Sequence, residues 1–479
     1  MPSLPDPLKE RARWIKENEQ QQYYYDHPIP MGIRSEASEI KYGLSMLANA
    51  FRFERQRGTV GTEDELDVVL SVSVTHTGLH GLARDYIDGV INKTDTASLN
   101  IHVFTEDDTK YLINNILTPA AKRYLNDVNP DILHEIFGVD GKYGRHYNFL
   151  KAILAFWNVF VDSQKKGTFK IDLDQVFTQQ ELVEQSGMSA FEHFLTDRWG
   201  AQAEDNWGQE VTLGMIAGAL VNVKDFWSHH QHLLSQPDVM LPKDFPVGLK
   251  EDELIFYSRG PQAASTIAEM IPSEAGQAEN VARQRIHVTG GINGILLKHL
   301  MRYRPFTPTF IVRAEDQAYL LSTLFDGPPE KLPLLRYLHK DGLVMRHDKE
   351  AFVGEAIEAA KVGQWIADYE RLLFFTFYAR ELSWSLERIK DAIDPFTGSF
   401  VSHIPFTITY VRMALKAAIL FKEGSDSQGF ELVRMGAQRL HQTIQELNDG
   451  DEMVRKTYER QRRAWHIYYD TLENIKKNK

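Results

Sequence analysis

The chain has no cysteine among its 479 residues. That excludes thiol nucleophiles, thiolate metal sites and disulfides, and fits a reducing compartment. No stretch approaches the ~18 consecutive apolar residues of a membrane-spanning helix. The opening MPSLPDPLKERARWIKENEQQQYYYDHPIP lacks the apolar centre of a secretory signal, so a soluble cytoplasmic protein is expected. Positive charge is also short: 54 Lys and Arg against 66 Asp and Glu leave −12, a poor match for nucleic acid or an anionic membrane. With only 31 Gly and 19 Pro, collagen-like and low-complexity chains are excluded too.

What is present reads as a globular protein in three parts: an N-terminal extension over 1–60, a central α/β region over 61–350, and helices over 351–479. Glu36 to Arg57 carries Ile40, Leu44, Leu47 and Phe51 at helical steps. Val68 to Val74 and Leu99 to Phe104 read as strands, each followed by a helical pattern, through Leu79 to Ile91 and Thr109 to Leu117. A third helix is expected over Tyr147 to Val161 and a third strand at Thr168 to Ile171. Alternation of this kind predicts a mostly parallel, Rossmann-like sheet flanked by helices, with ligands beyond the carboxyl ends of its strands. Those ends are Thr75-His76-Thr77, Thr105-Glu106-Asp107-Asp108 and Asp172-Leu173-Asp174. Residues 176–285 are looser, with strand-like Val211 to Val221 and Leu254 to Tyr257. From Ala351 onward four amphipathic helices are expected, near 351–390, 403–422, 427–448 and 450–476.

Three segments carry chemistry. In Phe169-Lys170-Ile171-Asp172-Leu173-Asp174, two carboxylates at i and i+2 follow a strand, where both can turn toward one hard divalent cation. A plain strand-to-loop turn explains the pair equally simply. Ile286-His287-Val288-Thr289-Gly290-Gly291-Ile292-Asn293-Gly294 is a strand running into a glycine loop, where backbone can approach a ligand closely. Ala314-Glu315-Asp316 puts two acids at the start of a helix, as site residues or as helix caps. Leu334 to Leu338 and Gly342 to His347 are expected to form a strand pair ending in histidine.

In their order and spacing these segments resemble the nucleotide-sugar-dependent glycosyltransferases of the GT-A fold, over about residues 66–350. The resemblance implies a GT-A-type sheet carrying an Asp-x-Asp motif, here Asp172-Leu173-Asp174, with Lys142, Arg145 and Asn148 preceding it. It implies Mg²⁺ or Mn²⁺ held by Asp174, shared or supported by Asp172, with His347 (or His339) as a third ligand. Asp316 would be the general base of an inverting enzyme; otherwise it or Glu315 would hydrogen-bond donor sugar or acceptor. Thr75 and His76 would line the nucleotide cleft, Glu106, Asp107 or Asp108 would read the base, Lys142 and Arg145 would hold the diphosphate or a substrate carboxylate, and Gly290 and Gly291 would lie against sugar or diphosphate. The donor would be a UDP- or GDP-sugar and the acceptor a small soluble hydroxyl compound. The first strand lacks the usual proline-containing turn, and the insert between Asp174 and Gly290 is long.

Ile171-Asp172-Leu173-Asp174 would also suit a haloacid-dehalogenase-type phosphohydrolase with Asp172 as nucleophile, although that fold usually begins with this strand. A nucleotidyltransferase would need a glycine-rich phosphate loop, for which Thr75-His76-Thr77-Gly78 is too poor. A non-catalytic sugar-nucleotide scaffold is the remaining alternative. The basic run Arg455 to Arg463, followed by Trp465, Tyr468 and Tyr469, reads as a solvated helix packing an aromatic face on its neighbours. The C-terminal helices could close over the acceptor or join two copies into a homo-oligomer.

Overall fold

The computed structural model describes residues 31–32, 35–72, 80–125, 131–137, 167–196, 200–205, 208, 210–222, 254–256, 281–282, 292–311, 315–326, 335–347, 354–392, 401–448 and 451–478. The expected helix at Tyr147 to Val161 lies outside them.

Helix α1 (Glu39–Arg57) starts where the Ser38 hydroxyl accepts the Lys41 N–H at 3.3 Å, and stops at Gly58, whose φ of 74° suits a residue without Cβ. Strand β1 (Leu66–Ser71), helix α2 (His80–Ile91) and strand β2 (Leu99–Phe104) form a βαβ unit whose strands are parallel, Leu66 opposite Leu99. Then come α3 (Glu106–Leu112), a π-helical turn (Ile113–Leu117), α4 (Thr118–Tyr124) and α5 (Asp131–Phe137).

Around the acidic motif lie β3 (Gly167–Ile171), β4 (Gln175–Phe177), α6 (Gln179–Ser186), α7 (Ala190–Phe194), β5 (Gln202–Asp205), β6 (Glu210–Asn222), β7 (Leu254–Phe256), β8 (Val281–Ala282) and β9 (Ile292–Leu296). Helices α8 (Leu297–Tyr303) and α9 (Glu315–Phe325) precede β10 (Leu335–His347). The remainder is α10 (Gly354–Glu381), α11 (Leu386–Ala392), β11 (Val401–Ser402), α12 (Pro405–Lys422), α13 (Asp426–Asn448) and α14 (Asp451–Lys477).

The chain is thus mixed α/β, but its larger sheet departs from the parallel expectation. Seven strands join along β3-β9-β6-β10-β4, with β5 and β8 branching from β6. Here β9 is antiparallel to both β3 and β6, and only β6–β10 on the main path is parallel. Strands β3, β6 and β10 run in one sense; β9 is inserted against β3 and β6, and β4, reversed by a three-residue turn where a parallel strand needs a helical crossover, runs against β10. Among the described residues β1 and β2 pair only with each other. The expected strand pair before His347 is instead one strand, irregular between His339 and Val344, running beside β6.

The two outermost strands of this path, β3 and β4, are consecutive in the chain. Laid flat, four inter-strand steps of ~4.8 Å would separate them by ~19 Å. The four Cα steps from Ile171 to Gln175 cannot exceed ~14 Å. The sheet is therefore curled until its ends meet at Asp172-Leu173-Asp174. Phenylalanines fill the seam: Phe191 touches Phe169 of β3 at 5.8 Å and Phe177 of β4 at 6.2 Å between centroids, and Phe194 stacks on Phe169 at 4.6 Å.

Helix α1 closes the outside. Glu54 has no solvent exposure and accepts hydrogen bonds from Ser189 Oγ at 2.8 Å, from Thr59 Oγ1 and from Gln179 Nε2, while Gln179 Oε1 accepts the Ala190 N–H at 2.8 Å. One helix thereby holds both the segment leaving β4 and the start of α7.

The expected C-terminal helices are all present. α10, α12 and α13 bury Ile366, Tyr369 and Leu373 against Met413, Leu420, Leu432 and Leu440. α14 lays Trp465, Tyr468, Tyr469 and Leu472 into a core shared with Leu117, Phe306 and Leu321, while Arg455 and Arg462 pair with Glu381 at 2.9 Å and Asp326 at 3.0 Å. The basic run is thus a charged outer face behind an aromatic inner one. No helix among the described residues is long and apolar enough to cross a membrane.

Two outcomes follow. A Cβ at Gly43 would lie 2.6 Å from the Leu173 carbonyl oxygen, whereas one at Gly89 meets nothing within 4 Å. Gly89→Ala is expected to stabilise by up to ~1 kcal/mol, and Gly43→Ala to destabilise by about 1–2 kcal/mol because overpacking outweighs propensity; urea unfolding measures both. His299 is 4 % exposed, stacks on Tyr303, and neither ring nitrogen has a hydrogen-bond partner. Burial, aided by Lys298 and Arg302, lowers its pKa to about 4. The unfolded state therefore binds the proton first, and stability on the order of 2–3 kcal/mol is lost as pH falls from ~6.5 through ~4. His299→Phe is expected to flatten the fall in unfolding midpoint over that window.

Candidate functional site

Strand directions decide what meets at the acidic turn. Ile171 ends β3, and its antiparallel partner is Ile292, the first residue of β9, directly after Gly290-Gly291. Asn293 pairs with Lys170 on one side and Ala217 on the other. From Ala217, β6 runs on in the same direction to Asn222, which lies beside His347 at the end of β10. His347 in turn is the cross-strand partner of Gln175, the residue after Asp174. One end of the curled sheet thus gathers the acidic pair, the residues following the glycine loop, Asn222 and His347.

The turn is tightly built. Gln175 N–H donates to the Asp172 carbonyl at 3.1 Å, closing a β-turn. Lys170 and Asp172, two apart at the end of a strand, share a face, and Lys170 Nζ stands 3.6 Å from Asp172 Oδ1. Gln175 Nε2 donates to Asp172 Oδ2 at 3.3 Å. Both oxygens of Asp172 are thus engaged, a poor arrangement for a nucleophile. Leu173 packs with Ile40, Leu44 and Leu70. Asp174 is 6 % exposed and Gln175 3 %, and Gln175 Oε1 has no hydrogen-bond donor among the described residues. Nothing in the sequence around Gln175 signals a buried, unpaired carbonyl.

Two carboxylates and an amide oxygen suit Mg²⁺ or Mn²⁺ in donor chemistry. Lys170 competes for one side of Asp172. Among the described side chains no group of three or more His, Asp or Glu could hold a metal. The positions of His339 and His347 are set only by strand register.

The second candidate region has another character. Thr105 and Asp108 form a capping box at α3, with Asp108 Oδ2 accepting the Thr105 N–H at 2.8 Å and pairing with Arg84 at 2.9 Å. His80 Nδ1 lies 3.1 Å from Asp107 Oδ1, and its Nε2 is 3.9 Å from the buried Glu106. Glu106 and Asp107 are thus gathered around His80. Of the other expected residues, Glu315 and Asp316 open α9. Thr75, His76, Lys142, Arg145, Asn148, Gly290 and Gly291 lie outside the described residues.

Comparison with protein-family models, with curated proteins and with solved structures finds no match to this chain.

If Asp108 is a cap, Asp108→Ala should lower unfolding free energy by ~1 kcal/mol in urea titration. An unchanged midpoint would return this carboxylate to the candidates for ligand recognition.

Proposed function

We propose that this protein is a metal-dependent glycosyltransferase that moves a sugar from a nucleoside-diphosphate sugar to a hydroxyl acceptor. The single observation that supports the reading most is register: His347 stands opposite Gln175, one residue from Asp174, although more than 170 positions separate them in the chain. The resemblance implies a histidine across the site from the acidic pair, and this register is the observation that supports it.

In this reading Asp174 holds Mg²⁺ or Mn²⁺, with Asp172 held beside it by Lys170 and Gln175, and His347 completes the set. The bound cation supplies the positive charge that a departing nucleoside diphosphate requires. Asp316 accepts the proton of the acceptor hydroxyl if the anomeric centre is inverted. Backbone at Gly290 and Gly291 gives the sugar close approach. Donor UDP- or GDP-sugar, small soluble acceptor, cytoplasmic location and any pairing of copies through the C-terminal helices belong to the same proposal.

The test is thermal unfolding with UDP, GDP, ADP or dTDP, each with Mn²⁺, Mg²⁺ or EDTA. A nucleotide at ~100 times its dissociation constant stabilises by about 2.7 kcal/mol. One nucleotide should raise the midpoint only with metal, and Asp174→Asn, which keeps the shape of a buried side chain, should remove the rise. No response to any nucleotide would overturn the reading.

A further inference from the structure

We propose that Gln175 is a further ligand residue of the acidic turn: its amide nitrogen holds Asp172 in place, and its amide oxygen is a neutral oxygen donor to the same divalent cation. This rests on the metal-dependent reading above.

The geometry gives the two ends of the side chain different fates. The nitrogen end is used, donating to Asp172 Oδ2 at 3.3 Å opposite the Lys170 ammonium. The oxygen end is buried and receives no donor among the described residues. A glutamine that is 3 % exposed has exchanged water for protein, and an acceptor left unpaired in that exchange is costly unless something else occupies it. Its position selects the occupant. The amide nitrogen lies on Asp172, and the residue directly follows Asp174 with its backbone in register with His347, so the carbonyl is placed at the acidic turn. Amide carbonyls are ordinary ligands of hard cations, and they add a donor without adding charge. With Asp172 already neutralised by Lys170, a neutral donor supplies coordination where a third carboxylate would add repulsion.

The experiment measures Mn²⁺ uptake by the full chain from the paramagnetic resonance of free Mn²⁺, comparing wild type, Gln175→Met and Gln175→Glu. Gln175→Met removes both ends and is expected to weaken Mn²⁺ binding 10–100-fold, the loss typical of groups that support metal ligands. Gln175→Glu keeps an oxygen where the amide oxygen stood and is expected to recover most of that affinity. Unfolding midpoints with and without Mn²⁺ separate a lost ligand from a lost fold: in EDTA Gln175→Glu, whose carboxylate faces Asp172, is expected to fall below the wild type, and Mn²⁺ is expected to restore it. Wild-type affinity in Gln175→Met overturns the inference, and so does a Gln175→Glu protein that binds as weakly as Gln175→Met. In both cases Mn²⁺ uptake by the wild type leaves the glycosyltransferase reading standing. Absence of uptake by the wild type overturns that reading and this inference together.

Discussion

A single buried carboxylate holds the centre of this molecule in place. Glu54 lies on a helix of the N-terminal part, yet it receives the side chains of Gln179, just after β4, and Ser189, at the start of α7. Removing it would strand several buried donors, each costing on the order of 1–3 kcal/mol. The consequence is positional. With α6 and α7 pinned to α1, Phe191 and Phe194 are delivered to the seam between β3 and β4, and Leu173 is held against Gly43. The acidic turn is the half-buried edge of that arrangement. Its geometry is a product of packing on both sides rather than of local propensity.

The wider plan repeats this use of helices as fasteners. Arg304, in the left-handed region at φ 49°, ends α8 and reaches both Asp470 and Glu473 of α14 at 2.6 Å. The strand that begins at the glycine loop is thereby tied through α8 to the last helix of the chain. Tyr469 adds a hydrogen bond to the Pro305 carbonyl at 2.7 Å, so the far end of the sequence helps hold a central strand.

Much of the fold was legible because periodicity speaks directly about burial. Ile40, Leu44 and Phe51 announced α1, the run expected over Val68 to Val74 overlaps β1, although its last two residues lie outside the described residues, and Leu99 to Phe104 matches β2. The segments expected near 403–422 and 427–448 match α12 and α13. Strand direction was not legible. A strand pattern states which faces are buried but not which neighbour supplies the hydrogen bonds, so β3 was assigned to a parallel sheet although its ladder, with β9, is antiparallel. The irregularity at 340–343 likewise reads as a hairpin in sequence, because Lys-Asp-Gly is good turn chemistry, yet β10 continues through it beside β6. The site was half legible. Asp172, Asp174 and His347 stood out by residue type and order, whereas Lys170 and Gln175 gain importance only from distances. Asp108, an acid at a strand end, caps α3, a role that its position at the start of a helix already allows.

The curled sheet behaves as a split ring. Every neighbouring pair along its path is joined by a ladder of backbone hydrogen bonds, while β3 and β4 are joined by a three-residue hinge and a stack of aromatic rings. Ring pairs can exchange one edge-on or offset arrangement for another at small cost, whereas a ladder slides only by breaking hydrogen bonds. Strain from any change in the ring's curvature therefore falls on its split, where the turn that carries Asp172 and Asp174 is braced by its own backbone hydrogen bond.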